Sequence, residues 1–236
     1  MPMNLLMPPS PVLFWICLTL ALPVVLVAAW RAPWALIKAH PTRQHALFAT
    51  VLALGLFWLL KANVRDVIAF HPMLMTVTTM VFGGSLSLCI GTLALAVSLL
   101  YRTALTSVTH GWEMAWNRLD LYVLPVDMVL CVLIPVCWTW VALRLVDRWS
   151  FKNPLTYALG VGFFGAMAGV LWMGLGALIL FAITDSEALT ILLDHGLVFV
   201  LMLFPEGFSN GAIATVLTVL WPDMLKTYRD DWYLKG

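Results

Sequence analysis

Long apolar runs alternate with short polar segments along the whole chain, and this pattern predicts a bundle of transmembrane helices. A helix needs about 20 apolar residues to cross the ~30 Å hydrocarbon core of a bilayer. About seven runs approach or exceed that length, at residues 10–30, 46–60, 67–82, 85–101, 119–143, 154–184 and 190–220. We therefore expect an all-α, polytopic membrane protein with a single transmembrane domain over residues 1–236.

Proline and glycine mark where these helices turn or bend. Gly83 and Gly84 leave almost no loop between the third and fourth runs, which predicts a tight helical hairpin. Pro205, followed by Gly207, predicts a bend in the seventh run, because proline removes a backbone hydrogen bond and crowds the preceding turn. The second run is short for a complete crossing. In the sixth run, Gly165 and Gly169 form a small-residue pair that favours close helix packing, either inside the bundle or against a partner subunit.

Composition supports the membrane assignment. Hydrophobic residues make up 62% of the chain and charged residues only 11%, too few to cover a water-facing surface. The net charge of +1 gives no reason to expect a nucleic-acid partner. The four cysteines lie in apolar runs without metal-type or secreted-type spacing, so buried free thiols are expected. The segment before the first run lacks Lys and Arg, which favours a retained helix over a cleaved signal peptide.

Basic residues predict the orientation. With the N-terminus outside and seven spans, the inner segments carry 9 of the 13 Lys and Arg residues. These are Arg31, Lys38, Arg43, Arg144, Arg148, Lys152, Lys226, Arg229 and Lys235. The loop between the last two runs contains Asp185 and Glu187 without a base, which also suits the outside. We therefore expect an N-out, C-in topology.

Few ionisable side chains fall inside the runs, and such groups usually face the bundle interior and mark function. His71 and His195 are expected at a similar depth near the outer side. Together they could hold a transition-metal ion, with Asp194 as a direct or outer-sphere oxygen. Alternatively, each histidine is a hydrogen-bonded packing residue. A facing pair could also bind haem in a membrane cytochrome, which an absorption spectrum would distinguish.

Three further residues have two interpretations each. Met75 lies four residues after His71, so the two would share a helix face, and a thioether favours soft ions such as Cu(I). Ordinary packing is the alternative. Glu206 is expected to bind backbone or hydroxyl groups at the Pro205 bend, or else to belong to a translocation path. Asp127 follows Pro125 and is expected to bind the backbone groups that this proline frees.

Signatures of catalysis are missing from the sequence. It has no nucleotide-binding loop, nucleophile elbow, HExxH motif or paired-cysteine metal signature. We therefore expect neither an enzyme nor a tightly bound organic cofactor.

Three stretches resemble a known family. They are FPEGFSNGAIATVLTVLWPDMLKTYRDDWYLKG at residues 204–236, FHPMLMTVTTMVFGGSLSL at 70–88 and VLPVDMVLCVLIPV at 123–136. They are similar to bacterial energy-coupling-factor (ECF) permeases of the cobalt/nickel substrate-capture type, over about three quarters of the chain. The resemblance implies a multi-pass protein of the bacterial inner membrane, orientated N-out, that captures a divalent transition-metal cation as its substrate. It also implies a second transmembrane subunit and cytoplasmic ATPase subunits as partners.

The resemblance assigns a metal-binding role to His71, which lies where the family has a histidine early in a span. Family members begin Met-His and bind the ion through the N-terminal amine and through the backbone nitrogen and imidazole of that histidine. This chain begins Met1-Pro2. Proline has neither an amide hydrogen nor an imidazole, so that ligand set cannot form.

Three explanations remain for this difference. The ion differs and could be copper, the site is rebuilt from residues such as His195 and the methionines, or metal binding has been lost. A different class of function is a non-transporting accessory subunit of a larger membrane complex, docked through the small residues of the sixth run.

Overall fold

A computed structural model describes residues 3–5, 9–60, 62–64, 68–113, 121–229 and 233, and most of them are helical. The helices are α1 (Pro11–Arg31), α2 (Trp34–Ala39), α3 (Pro41–Phe57), α4 (Met75–Phe82), α5 (Gly84–His110), α6 (Leu121–Asp147), α7 (Pro154–Thr184), α8 (Ser186–Asp194) and α9 (Gly196–Leu220). Three short strands are β1 (Met3–Leu5), β2 (Ala62–Val64) and β3 (Ile68–Phe70).

Five helices of the described chain are long and apolar enough to cross a membrane: α1, α5, α6, α7 and most of α9. Their starts follow local chemistry. Ser10 accepts the Leu13 N–H at 3.2 Å before Pro11 begins α1, and Asn153 accepts the Thr156 N–H at 2.6 Å before Pro154 begins α7. These helices bear out the expectation of an all-helical, multi-pass membrane bundle, to which the small sheet is an addition.

The second and third predicted spans are shorter helices. Helix α3 has 17 residues and α4 has only 8, which is about 12 Å at 1.5 Å per residue. The prediction of one helix over residues 67–82 is therefore wrong for its first half, where β3 and an irregular segment at residues 71–74 precede α4. Pro72 disfavours helical conformation at the residue before it, and Leu74 adopts a left-handed φ of 57°.

The seventh predicted span is two helices. Helix α8 ends at Asp194, and α9 begins at Gly196 after the non-helical His195. Pro205 lies inside α9, which continues through it as a helix. The break in the backbone therefore falls ten residues before the proline at which the sequence predicts a bend.

The hairpin between α4 and α5 is as tight as predicted. Gly83 alone separates the two helices and has a φ of 77°. A side chain is disfavoured in this left-handed region, so glycine is needed here.

The sheet joins distant parts of the chain. Strand β3 is central, with β2 antiparallel on one edge and β1 antiparallel on the other. Met3 pairs with Phe70 and Leu5 with Ile68. The N-terminal strand is therefore held against the residues that lead into His71.

Small residues of α7 face the interior of the bundle. A β-carbon added at Gly162 would lie 2.8 Å from that of Ala214 on α9, and Gly169 lies beside Trp138 of α6. Trp138 also donates a 2.9 Å hydrogen bond to the carbonyl of Gly165, within a π-helical segment of α7 at Ala158–Gly165. These small residues of α7 therefore pack against other helices of the same chain. An accessory subunit would need a docking surface other than these contacts.

All four cysteines are free thiols. Cys17, Cys89 and Cys131 are buried as predicted, whereas Cys137 is exposed on the surface of the chain. Its neighbours on α6 include Trp140 and Val141, which are also exposed, as is typical of a lipid-facing helix surface.

Candidate functional site

Helix α4 is short, and 7 of its 8 residues are buried. The first N–H groups and the last carbonyls of any helix lack partners within that helix. Water cannot supply partners inside the hydrocarbon core, so a helix that ends at membrane depth needs them from other protein groups. The residues that complete the two ends of α4 therefore define the candidate site.

Helix α9 supplies partners for the N-terminal end of α4. The two carboxylate oxygens of Glu206 accept hydrogen bonds from the backbone N–H groups of Met73, at 2.9 Å, and Leu74, at 2.8 Å. The side-chain oxygen of Asn210 accepts the Val77 N–H at 2.9 Å, and its amide nitrogen donates to Glu206 Oε1 at 2.7 Å. A negative charge at this end also complements the helix dipole.

Glu206 therefore does bind backbone groups, but not those expected. The expectation placed its partners at the Pro205 bend, within its own helix, whereas the partners described here belong to the segment before α4. The side chain is only 2% exposed, so α9 and the start of α4 are joined in the interior of the protein.

The tail after α9 supplies partners for the C-terminal end of α4. The backbone N–H groups of Lys226 and Thr227 donate to the carbonyls of Val81, at 3.1 Å, and Met80, at 3.2 Å. The Thr227 hydroxyl also donates to the Met80 carbonyl at 2.9 Å. Both ends of α4 are thus tied to parts of the chain that are remote in sequence.

His71 lies just before α4 and is fully buried. Its Nδ1 atom is 3.2 Å from the carbonyl oxygen of Pro72. A carbonyl oxygen can only accept, so Nδ1 is the donor in this contact. Neutral imidazole with a second nitrogen hydrogen-bonded to the backbone is the form that binds metal ions in proteins.

Trp58 holds the segment that carries His71. Its indole N–H donates to the carbonyl of Met73 at 3.3 Å, and its ring centroid lies 5.4 Å from that of the imidazole. Trp58 is itself fully buried, at the end of α3. The imidazole is therefore positioned by Trp58 and by the backbone of β3, which ends at the residue before it.

Met75 is the first residue of α4, whereas His71 precedes the helix. The expectation that these two residues share a helix face is therefore wrong, because no helix contains both. The Met75 side chain is buried, and its methyl group lies 3.2 Å from the point that a β-carbon would occupy at Gly91 of α5. Its thioether packs at the contact between α4 and α5.

His195 and Asp194 lie at the break between α8 and α9. The Nδ1 atom of His195 is 2.9 Å from the carbonyl oxygen of Ile191, so the half-buried ring completes the end of α8. Asp194 is exposed. The contacts described for His195 are those of a residue that ends a helix, whereas the contacts described for His71 are with Pro72 and Trp58.

Asp127 is buried on α6, directly before a π-helical segment at Met128–Leu133. The turn that contains it packs against α1 and β1. This places the turn that carries Asp127 beside the N-terminal strand, which its sequence position after Pro125 does not indicate.

Among the residues that the structure describes, no group of three or more His, Cys, Asp and Glu side chains could hold a metal ion. His71, His195 and Asp194 therefore do not form such a group. A metal centre at His71 needs thioether or backbone ligands, or ligands from outside the described residues, where Met1 and Pro2 lie.

Sequence reasoning missed Asn210 and Trp58. The spacing of Glu206 and Asn210, one helical turn apart, was the available signal that both side chains face the same neighbour.

No protein-family model matches the chain, and no curated protein or solved structure matches it.

Proposed function

We propose that this chain is the membrane substrate-capture subunit of an energy-coupling-factor transporter for a divalent transition-metal cation, of the cobalt/nickel type or copper. The observation that carries the proposal is the setting of His71. Its buried imidazole follows a strand to which the N-terminal strand is paired. In the family that the sequence resembles, the N-terminus and such a histidine bind the ion together.

The metal ligands proposed here start with the imidazole of His71. Met1-Pro2 cannot provide the ligands of the Met-His members, so the remaining ligands come from other groups. Met73 and Met75 are buried in the same short segment. Their thioethers prefer soft ions, which favours copper over cobalt or nickel if either of them binds the metal.

The proposed mechanism needs no catalysis by this chain. The ion is captured near His71 on the outer side of a bacterial inner membrane. Helix α4, fixed by Glu206 and Asn210, supports the capture site. Cytoplasmic ATPase subunits, acting through a second transmembrane subunit, then drive the motion of the bundle that releases the ion inside.

The test compares His71→Ala with two matched histidine variants. His71→Ala is expected to reduce the metal bound per purified protein, and metal uptake by cells, at least about tenfold, because a first ligand is lost. His45 is exposed on α3, so His45→Ala is expected to leave both quantities unchanged. His195→Ala tests whether the second histidine belongs to the site. Elemental analysis and radiometal uptake provide the measurements.

Two results would contradict the proposal. One is an unchanged metal content and uptake in His71→Ala when the variant elutes as a single folded species. The other is co-purification of the wild-type protein with a membrane oxidoreductase, without metal and without ATPase subunits, which would favour the accessory role.

A further inference from the structure

A cavity of about 280 Å³ lies between the end of α6 and the tail that follows α9. We refer to it as the tail cavity. The side chains that matter for its chemistry are Trp140, Arg144, Asp147, Lys226, Arg229 and Tyr233. Because Lys226 binds the C-terminal end of α4, the tail cavity lies at the opposite end of that helix from His71.

The described lining of the tail cavity is predominantly cationic. The residues that line it include three basic ones, Arg144, Lys226 and Arg229, and one acidic one, Asp147. That carboxylate accepts the hydroxyl of Tyr233 at 2.9 Å. Asp230 and Asp231, which follow Arg229, lie outside the described residues, so this comparison refers to the described lining alone.

Two of the cations are held in place. The Arg144 guanidinium lies 3.4 Å above the centre of the Trp140 ring, a cation–π contact that fixes its direction. The Lys226 backbone is tied to Val81, and its side chain extends along Gly83. The Arg144 guanidinium that a bound ligand would meet is therefore already positioned.

Lys226 is also an unfavourable place for a positive charge. Partial burial lowers the pKa of its ammonium group, and the nearby guanidinium of Arg43 lowers this pKa further. Arg43 itself donates to the backbone carbonyl of Asp223 at 3.0 Å, so that contact leaves its charge in place. An anion in the tail cavity would relieve this repulsion and stabilise the charged form of Lys226.

We propose that the tail cavity binds a phosphate group, as presented by the headgroup of an anionic phospholipid or by free phosphate. Arginine and lysine together suit phosphate oxygens, which accept charge-assisted hydrogen bonds. Basic pockets between transmembrane helices on the cytoplasmic side bind anionic lipid headgroups, and tryptophan is enriched at that depth. This inference is independent of metal transport.

The experiment uses the full chain, purified in detergent, with two probes. Phosphatidylglycerol and phosphatidylcholine are titrated and bound lipid is counted by native mass spectrometry, and sodium phosphate is titrated by calorimetry. The double variant Arg144→Gln/Lys226→Gln is expected to weaken phosphatidylglycerol binding roughly 20- to 30-fold, from about 5-fold for each cation removed. The control Arg31→Gln/Arg148→Gln removes two exposed cations outside the lining and is expected to change it less than about 2-fold.

A gain-of-binding variant guards against simple misfolding. Asp147→Asn removes the one carboxylate of the described lining but keeps an acceptor for Tyr233. It is expected to strengthen phosphatidylglycerol binding by about 5-fold, which an unfolded protein cannot do.

Each outcome decides the proposal. Selective phosphatidylglycerol binding that is lost in the cavity variant alone supports it, with a lipid headgroup as the source. Phosphate binding that is lost in that variant, without lipid selectivity, supports it with free phosphate as the source. Three results would overturn the proposal. The first is an equal loss of binding in the control variant, and the second is equal affinity for both lipids without phosphate binding. The third is no gain of phosphatidylglycerol binding in Asp147→Asn.

Discussion

Glu206 and Asn210 stand one turn apart on α9, and both accept N–H groups from the start of α4. A buried N–H without a partner destabilises a protein by about 1–3 kcal/mol. These side chains thus replace the partners that α4 would have had if the helix continued. At the residue scale, the single carboxylate of α9 is an acceptor for backbone N–H groups.

Glu206→Ala is expected to lower the free energy of unfolding by about 3 kcal/mol, because two backbone N–H groups lose their acceptor and the Asn210 amide keeps only the carbonyl of residue 206. Thermal unfolding of the detergent-solubilised protein measures the change. Glu206→Gln keeps one acceptor oxygen but turns an amide N–H₂ towards a backbone donor, so we expect about half the effect.

Glu187 provides the matched control for this series. It is exposed in the first turn of α8, and Glu187→Ala is expected to change stability by less than about 0.5 kcal/mol. An equal effect of the alanine change at positions 187 and 206 would contradict the capping role of Glu206.

The sequence could show that Glu206 is expensive to bury, but not which groups bind it. The sequence shows that Glu206 is a polar residue inside an apolar run, and this position correctly identifies the residue as one of interest. Its partners lie 133 and 132 residues away. The argument from the Pro205 bend concerns groups of the same helix, so it placed the partners there instead.

At the scale of elements, close contact between α7 and α9 depends on glycine. An added methyl group at Gly162 would lie 2.8 Å from the β-carbon of Ala214 and 3.3 Å from the backbone of Gly211. The same addition at Gly169 would lie 3.5 Å from Trp138, an ordinary contact. The two glycines of one helix therefore differ in what an alanine would meet.

Gly162→Ala is expected to destabilise the protein by about 1–3 kcal/mol, because α7 and α9 must separate slightly. Gly169→Ala is expected to be neutral or stabilising by up to about 1 kcal/mol, since alanine favours a helix more than glycine does. Unfolding midpoints of the two variants test the difference. Equal destabilisation by both changes would show that the contact with α9 is not what requires glycine.

Where an apolar run is long, as in α1, α6 and α7, the sequence correctly predicts a helix. A membrane-length apolar segment has few alternatives to a helix. The prediction failed at residues 68–74. There β3 pairs with β1, which is distant in sequence, and with β2, which ends at Val64. An apolar segment can form a strand only when such a partner is present, and the runs carry no information on partners.

At the scale of the whole molecule, the predicted N-out topology places residue 187 outside and residue 152 inside. On a Cys137→Ser background, Glu187→Cys is expected to react with an impermeant maleimide in intact cells. Lys152→Cys is expected to react only after permeabilisation. The opposite pattern would reverse the orientation, and with it the side from which His71 is reached.

The hydrogen bonds at the two ends of α4 have a consequence for biosynthesis. The segment leaves the ribosome 133 residues before Glu206 and 147 residues before Thr227. At ~5–20 residues per second, that delay is on the order of ten seconds. Bare helix ends are unfavourable in lipid by several kcal/mol each. We therefore expect the nascent segment to enter the bilayer only after α9 has been synthesised.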